Sequence, residues 1–102
     1  MKKYTLYIAS RVKGQLYRHA EFLSRVSLPA ADRFYRDFER VGRRIEENPY
    51  QFPLDQDATL PVQGYRKALF AKWYKALFTV EGNRVFLDEV LDCRQDNSET
   101  EK

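Results

Sequence analysis

GYRKALFAKWYKALFTVEGNRVFLDEVLDCR, residues 64–94, contains three successive runs rich in aromatic and β-branched side chains. Glu81-Gly82-Asn83 is the clearest turn signal inside it, because glycine and asparagine tolerate positive φ. The spacing predicts a three-stranded antiparallel meander over roughly 65–70, 73–80 and 84–93. Successive strand side chains point to opposite faces. A two-residue turn at Gly82-Asn83 sets Val80 opposite Val85, Phe78 opposite Leu87 and Tyr74 opposite Leu91. A short turn at Ala71-Lys72 adds Leu69 and Tyr65 to that apolar face. The other face is then expected to carry Arg66, Phe70, Trp73, Lys75, Leu77, Asp88, Asp92 and Arg94. Glu89 conflicts with this register, and a β-bulge near Asp88-Glu89 would remove the conflict by switching the parity of the last strand.

An apolar sheet face needs a cover, and the preceding sequence supplies one. Residues 3–9 (KYTLYIA) alternate as a first strand. Val12, Leu16, Ala20 and Leu23 then recur at helical spacing over 11–26, behind Ser10 as N-cap. Ser27-Leu28-Pro29 closes this helix and opens a second, since proline is tolerated in a first turn. Ala31, Phe34, Phe38, Val41 and Ile45 form one stripe, ended by Asn48-Pro49. Two amphipathic helices in tight succession make an αα-hairpin whose stripe can lie on the meander. Tyr50 to Gln63 reads as a proline-containing loop. The expected fold class is α+β: an N-terminal strand, an αα-hairpin, then a three-stranded antiparallel meander with the helices on one face. Residues 1–95 make a single domain, and 96–102 an acidic tail.

The whole chain of 102 residues is 43% hydrophobic and 15% aromatic, as a globular protein is. No apolar run is long enough to span a membrane, there is no signal-peptide core, and one cysteine precludes an internal disulfide; the expected address is the cytoplasm. The net charge is +3, from 18 basic and 15 acidic side chains. Residues 1–95 hold 17 of the basic and 12 of the acidic ones, a local net of +5. That excess suits nucleic acid or an acidic protein and demands neither.

Chemistry is sparse. His19, the only histidine, lies in a helical pattern and reads as a half-buried structural residue. Cys93 reads as a packing residue. No metal-ligand spacing of histidines and cysteines occurs, and Asp88 and Asp92 are better matched to neighbouring cations than to a metal. No cofactor is implied. The interleaved charges of the second helix are expected to pair on its surface. Arg66, Lys75 and Arg94, with Tyr74 and Trp73 beside them, offer cations and rings to phosphate, RNA or protein.

The order strand, helical hairpin, Asn48-Pro49, Leu60-Pro61, Gly64-Tyr65-Arg66 and meander resembles the RelE/ParE family of bacterial toxins over residues 3–96. Asp92-Cys93-Arg94-Gln95 is similar to an ending found in part of that family. The resemblance implies the toxin of a type II toxin–antitoxin pair, held inactive in a hetero-oligomer by a cognate antitoxin. It implies growth inhibition and plasmid stabilisation by one of two routes. RelE-like members cut mRNA on the ribosome, a role that falls here on Arg66, Lys75, Arg94 and Tyr74. ParE-like members bind DNA gyrase and are not nucleases, a role that falls on Arg66, Phe70, Trp73 and Arg94. The acidic tail and Asp88 and Asp92 oppose phosphate and favour the ParE-like side. A non-toxic binding module of the same fold is the third reading.

Overall fold

The structure, a computed structural model, describes residues 3–56 and 64–94. Strand β1 (Thr5–Ile8) leads into helix α1 (Ser10–Ser24) and helix α2 (Leu28–Glu47). A single 3-10 turn, Pro49–Gln51, follows the Asn48-Pro49 break, and strands β2 (Arg66–Phe70), β3 (Tyr74–Glu81) and β4 (Arg84–Asp92) form the meander. The sheet order is β1-β4-β3-β2. The strand, the hairpin and the meander are thus those read from the sequence. Leu60-Pro61 of the loop, Gln95 and the 96–102 tail lie outside the described residues.

β1 joins the sheet through β4 in parallel, from Thr5 opposite Arg84 to Ile8 opposite Leu87. No local feature of residues 5–8 specifies that partner. The pairing makes β4 an interior strand and turns the three-stranded meander into a four-stranded mixed sheet.

Two local irregularities decide which side chains meet the helices. The bulge anticipated near Asp88-Glu89 is present: Phe78 pairs with Leu87 while Leu77 pairs with Glu89, leaving Asp88 as the extra residue. Val85, Leu87 and Val90 therefore all reach the core, and Glu89 turns away to approach Arg11. The second irregularity corrects the expected register. The β2–β3 connection has three residues, Ala71-Lys72-Trp73, so Phe70 faces Tyr74. A one-residue slip exchanges the faces of a strand. Phe70 is accordingly a core residue at 6% exposure, not part of an outward face, and Leu69 and Tyr65 lie on the side away from the helices. Tyr74 faces Asp92 rather than Leu91, so Asp92 also changes side.

The core is Val12, Leu16 and Ala20 of α1 and Phe34, Phe38, Val41 and Ile45 of α2 against Ala68, Phe70, Tyr74, Ala76 and Phe78 with the β4 residues. Phe34 sits at its centre, edge-on to Tyr74 at 4.8 Å and against Phe70 at 5.5 Å. These geometries suit the ring quadrupoles.

Beyond Leu87, β4 has no β1 residue beside it, and α1 covers the gap. Gln15 Oε1 accepts a hydrogen bond from the Val90 N–H at 2.8 Å, and His19 Nε2–H donates to the Val90 carbonyl at 3.0 Å. Gln15 and His19 are four residues apart, so one helix face presents both. An uncovered strand edge invites pairing with another chain, and this edge is closed by side chains. Gln15→Leu leaves the part-buried Val90 N–H without an acceptor. Chemical denaturation should show a loss of about 1–3 kcal/mol, the desolvation cost of one such group; an unchanged midpoint would contradict the cap.

Candidate docking site at the Trp73 end of the sheet

Ala71 and Lys72 both have left-handed backbone, at φ 48° and 75°. Each costs a non-glycine residue about 1–2 kcal/mol. The strained turn, closed by the Trp73 N–H on the Ala71 carbonyl at 2.8 Å, holds Lys72 and Trp73 out from the end of the sheet. Trp73 is 43% exposed, as a binding residue must be. Arg94 lies over its ring at 5.1 Å and Lys72 at 5.8 Å, both within cation–π range. The Trp73 carbonyl accepts from the Cys93 N–H at 2.7 Å, which anchors the turn to the end of β4.

Arg94 is held as tightly as the tryptophan. Its guanidinium forks onto Asp92, Nε to Oδ1 at 3.2 Å and Nη2 to Oδ2 at 3.0 Å, and its own N–H also donates to Oδ1 at 2.9 Å. Burial pushes the Asp92 carboxyl up, but these hydrogen bonds and the Arg94 charge outweigh it and hold the group below the usual carboxylate range. Tyr74 stands beside them at 1% exposure. Among the described residues its hydroxyl has no hydrogen-bond partner. Burial and the Asp92 charge raise its pKa; the nearby Arg94 guanidinium acts in the opposite direction without completing a bond of ordinary geometry.

Between this end of the sheet and the helical hairpin opens a cleft of about 410 Å³. Phe34 and Tyr74 belong to its inner wall, Leu23 and Ala30 to the hairpin side, and Arg33, Lys72 and Trp73 to its rim.

The remaining sequence-predicted residues do not converge here. Arg66 starts β2, four residues and roughly 13 Å of strand away from Phe70 by the usual strand rise. There Nη1 donates to the Phe52 carbonyl at 2.7 Å and the guanidinium lies 4.8 Å from the Tyr50 ring centre. Lys75 lies on the face opposite Tyr74, largely buried in an ion pair with Asp55 at 2.9 Å. Asp88 accepts from the Tyr65 hydroxyl. That bond, with burial and the Asp88 charge, pushes the Tyr65 pKa up to about 12. Phe70 lies beneath the site as packing. What sequence reasoning missed is the contribution of α2: Arg33 reads as one of several surface arginines until the hairpin is folded against the Lys72 turn.

No family model and no curated protein matches this sequence. Among solved structures, a chain of the "Chromosomal ParDE TA system from P. aeruginosa" superposes with a TM-score of 0.71, covering 88% of this chain and 96% of that one at 15% identity. The fold is ParE-like. The architecture implied by the RelE/ParE resemblance is therefore the one found, while an identity this low carries nothing finer than architecture. No helix among the described residues is long and apolar enough to cross a membrane.

The Asp92 pair has a definite pH signature. A carboxyl held below its ordinary value of 3.8 stabilises the fold above that pH, and the contribution is lost as pH falls through the folded value. Arg94→Ala removes the guanidinium bonds and charge but keeps the backbone N–H bond to Oδ1, so burial is less well opposed, the Asp92 pKa rises, and the variant is destabilised most where the carboxyl is charged. Denaturant unfolding between neutral pH and about pH 3 should show the gap between the two proteins largest at neutrality and closing below about pH 4. A gap independent of pH would contradict the pairing.

Proposed function

We propose that this chain is the toxin of a bacterial type II toxin–antitoxin pair, neutralised by a cognate antitoxin in a hetero-oligomer, and that it acts in the cytoplasm by binding DNA gyrase or another essential target. The ParE-like fold supports the toxin assignment. One observation carries the choice of binding over RNA cleavage: of the four groups a ribonuclease would need, only the side chains of Tyr74 and Arg94 are neighbours, and all three cations are already engaged. Metal-free cleavage needs cations around one phosphate and a group that takes the 2′-hydroxyl proton. Arg66 and Arg94 are at opposite ends of the strands, Lys75 is neutralised by Asp55 on the other face, and Tyr74 is pushed away from the base role by its raised pKa.

Binding needs less convergence. An exposed tryptophan flanked by arginine and lysine has the composition of an interface hot spot. Trp73, Lys72 and Arg94 are the residues we assign to target contact. Arg66, clasped by Phe52 and Tyr50, contributes at most a peripheral charge, and Phe70 supports the site from below.

Induction of the chain alone should arrest growth, and co-expression with the neighbouring open reading frame should restore it. Purified protein should inhibit supercoiling by gyrase. Trp73→Ala should raise the inhibitory concentration about 30-fold, the equivalent of a ~2 kcal/mol hot spot. Codon-positioned mRNA cuts on induction, with supercoiling untouched, would transfer the assignment to the ribonuclease reading. Unaffected growth on induction would leave only a binding module.

A further inference from the structure

We propose that the open edge of β1 is a self-association surface: two copies of this chain pair β1 against β1, antiparallel about a two-fold axis at Tyr7, and so join their sheets into one.

β1 meets β4 on one side only, so its other side is an edge of the sheet. The Thr5 and Ala9 N–H groups point inward, to the Asn83 and Leu87 carbonyls at 2.9 Å. Peptide groups alternate in direction along a strand, so those of Leu6 and Ile8 point outward. Among the described residues nothing donates to them or accepts from them on that side. By contrast, Gln15 and His19 close β4 at Val90, and Pro53 and Asp55 cover the first half of β2 through the Lys67 N–H and the Tyr65 carbonyl. Thr5-Leu6-Tyr7-Ile8 also lacks the usual deterrents to pairing, having no charge, no proline and an unbroken register.

The edge is complementary to itself. Antiparallel pairing about Tyr7 sets Leu6 against Ile8 of the second copy and Ile8 against its Leu6, and each such pair exchanges both main-chain bonds. Tyr7 falls opposite Tyr7 of the second copy, at the closer spacing of a non-hydrogen-bonded pair. Tyr7 is 47% exposed and already stacks on Phe86 at 5.5 Å, so pairing continues an aromatic row across the axis. On the helix side a groove of about 370 Å³ runs between β1 and α2, lined by Leu6, Ile8, Phe38 and Gly42 and by the exposed Glu39 and Arg43. Ile8, 44% exposed, is covered there when Leu6 of the second copy packs beside it.

Charge favours a second copy over an unrelated strand. α2 runs antiparallel to β1: the Glu46 carbonyl accepts from the Tyr4 N–H at 3.1 Å, and Leu6 lies 3.6 Å from where Gly42 would carry a Cβ. Four helix residues and two strand residues advance almost equally, ~6 Å and ~6.6 Å. Arg43 is therefore level with Leu6, and Glu39 with Ile8. A two-fold at Tyr7 exchanges those levels, so Arg43 of each copy comes opposite Glu39 of the other. Among the described residues neither has an ion-pair partner within the chain. The rim thus carries both halves of a reciprocal charge contact.

Sedimentation velocity of the purified chain over a concentration series should show a dimer that dissociates on dilution. Glu39→Arg and Arg43→Glu should each weaken it about tenfold or more, since the axis then doubles every like-charge contact. An equimolar mixture of those two variants should associate again, because each copy meets opposite charge across the axis. Ile8→Pro removes an outward N–H that the ladder to β4 does not use, and should weaken the dimer while circular dichroism stays unchanged. Tyr7→Cys in a Cys93→Ser background brings one thiol from each copy to the axis, and mild oxidation should link the copies. A single-chain mass at every concentration, a dimer indifferent to Ile8→Pro, or a mixture of the charge variants that stays dissociated would overturn the inference. A dimer that Tyr7→Cys fails to cross-link has its axis elsewhere and overturns it too.

Discussion

The hydrogen bonds on the peptide groups of Val90 hold the molecule's layers in place. β4 lies between β1 and β3, and past Leu87 its outer edge is open to whatever packs there. α1 meets that edge with Gln15 on the N–H and His19 on the carbonyl. The helix is thereby set in register with the strand, not merely laid over it. His19 in turn packs its ring on Tyr74 at 4.9 Å, so one side chain ties the hairpin, the sheet edge and the Trp73 end of the sheet together. A histidine in this position is structural: it donates to a carbonyl and fills space between Phe34 and Tyr74.

The extra residue at Asp88 and the three-residue turn at Ala71 follow from the same demand for burial. Without the bulge, β4 would send Glu89 into the core and Val90 out. With it, Val90 is buried and Asp92 comes to lie beside Tyr74, where Arg94 reaches it. The turn shifts β2 by one position, which buries Phe70 and holds Trp73 at the rim. The two defects in the ladder thus set which side chains gather at the Trp73 end of the sheet, as bulges that re-aim side chains do. Strain in the left-handed Ala71-Lys72 pair is the local cost of presenting a tryptophan and a lysine together.

Much of this was legible before any coordinates. The stripe Phe34–Phe38–Val41–Ile45 and the Asn48-Pro49 stop defined α2 because periodicity and proline act locally. Gly82-Asn83 placed the β3–β4 turn, and the misfit of Glu89 pointed to the bulge. Three things were not legible. Ala-Lys-Trp carries no turn chemistry that distinguishes a two-residue from a three-residue connection, so the sequence pattern alone puts β2 one position out and Phe70 on the outward face. The parallel partner of β1 is a choice between distant segments. The cleft needs Arg33 and Lys72, 39 positions apart, to be brought together by the hairpin's packing, and no spacing rule links them. Strand alternation puts Trp73 and Arg94 on one outward face, and Trp73 is exposed with Arg94 over its ring, whereas Phe70, expected on the same face, is core.

The central claim is that β4 changes parity at Asp88, so that everything from Val90 to Arg94 faces where it does. Backbone NMR of the purified chain tests this directly through cross-strand contacts between β3 and β4. The structure predicts that Ala76 contacts Val90 and Tyr74 contacts Asp92 across the ladder. An unbroken register, with Ala76 opposite Glu89 and Tyr74 opposite Leu91, would contradict it and dismantle the site with it.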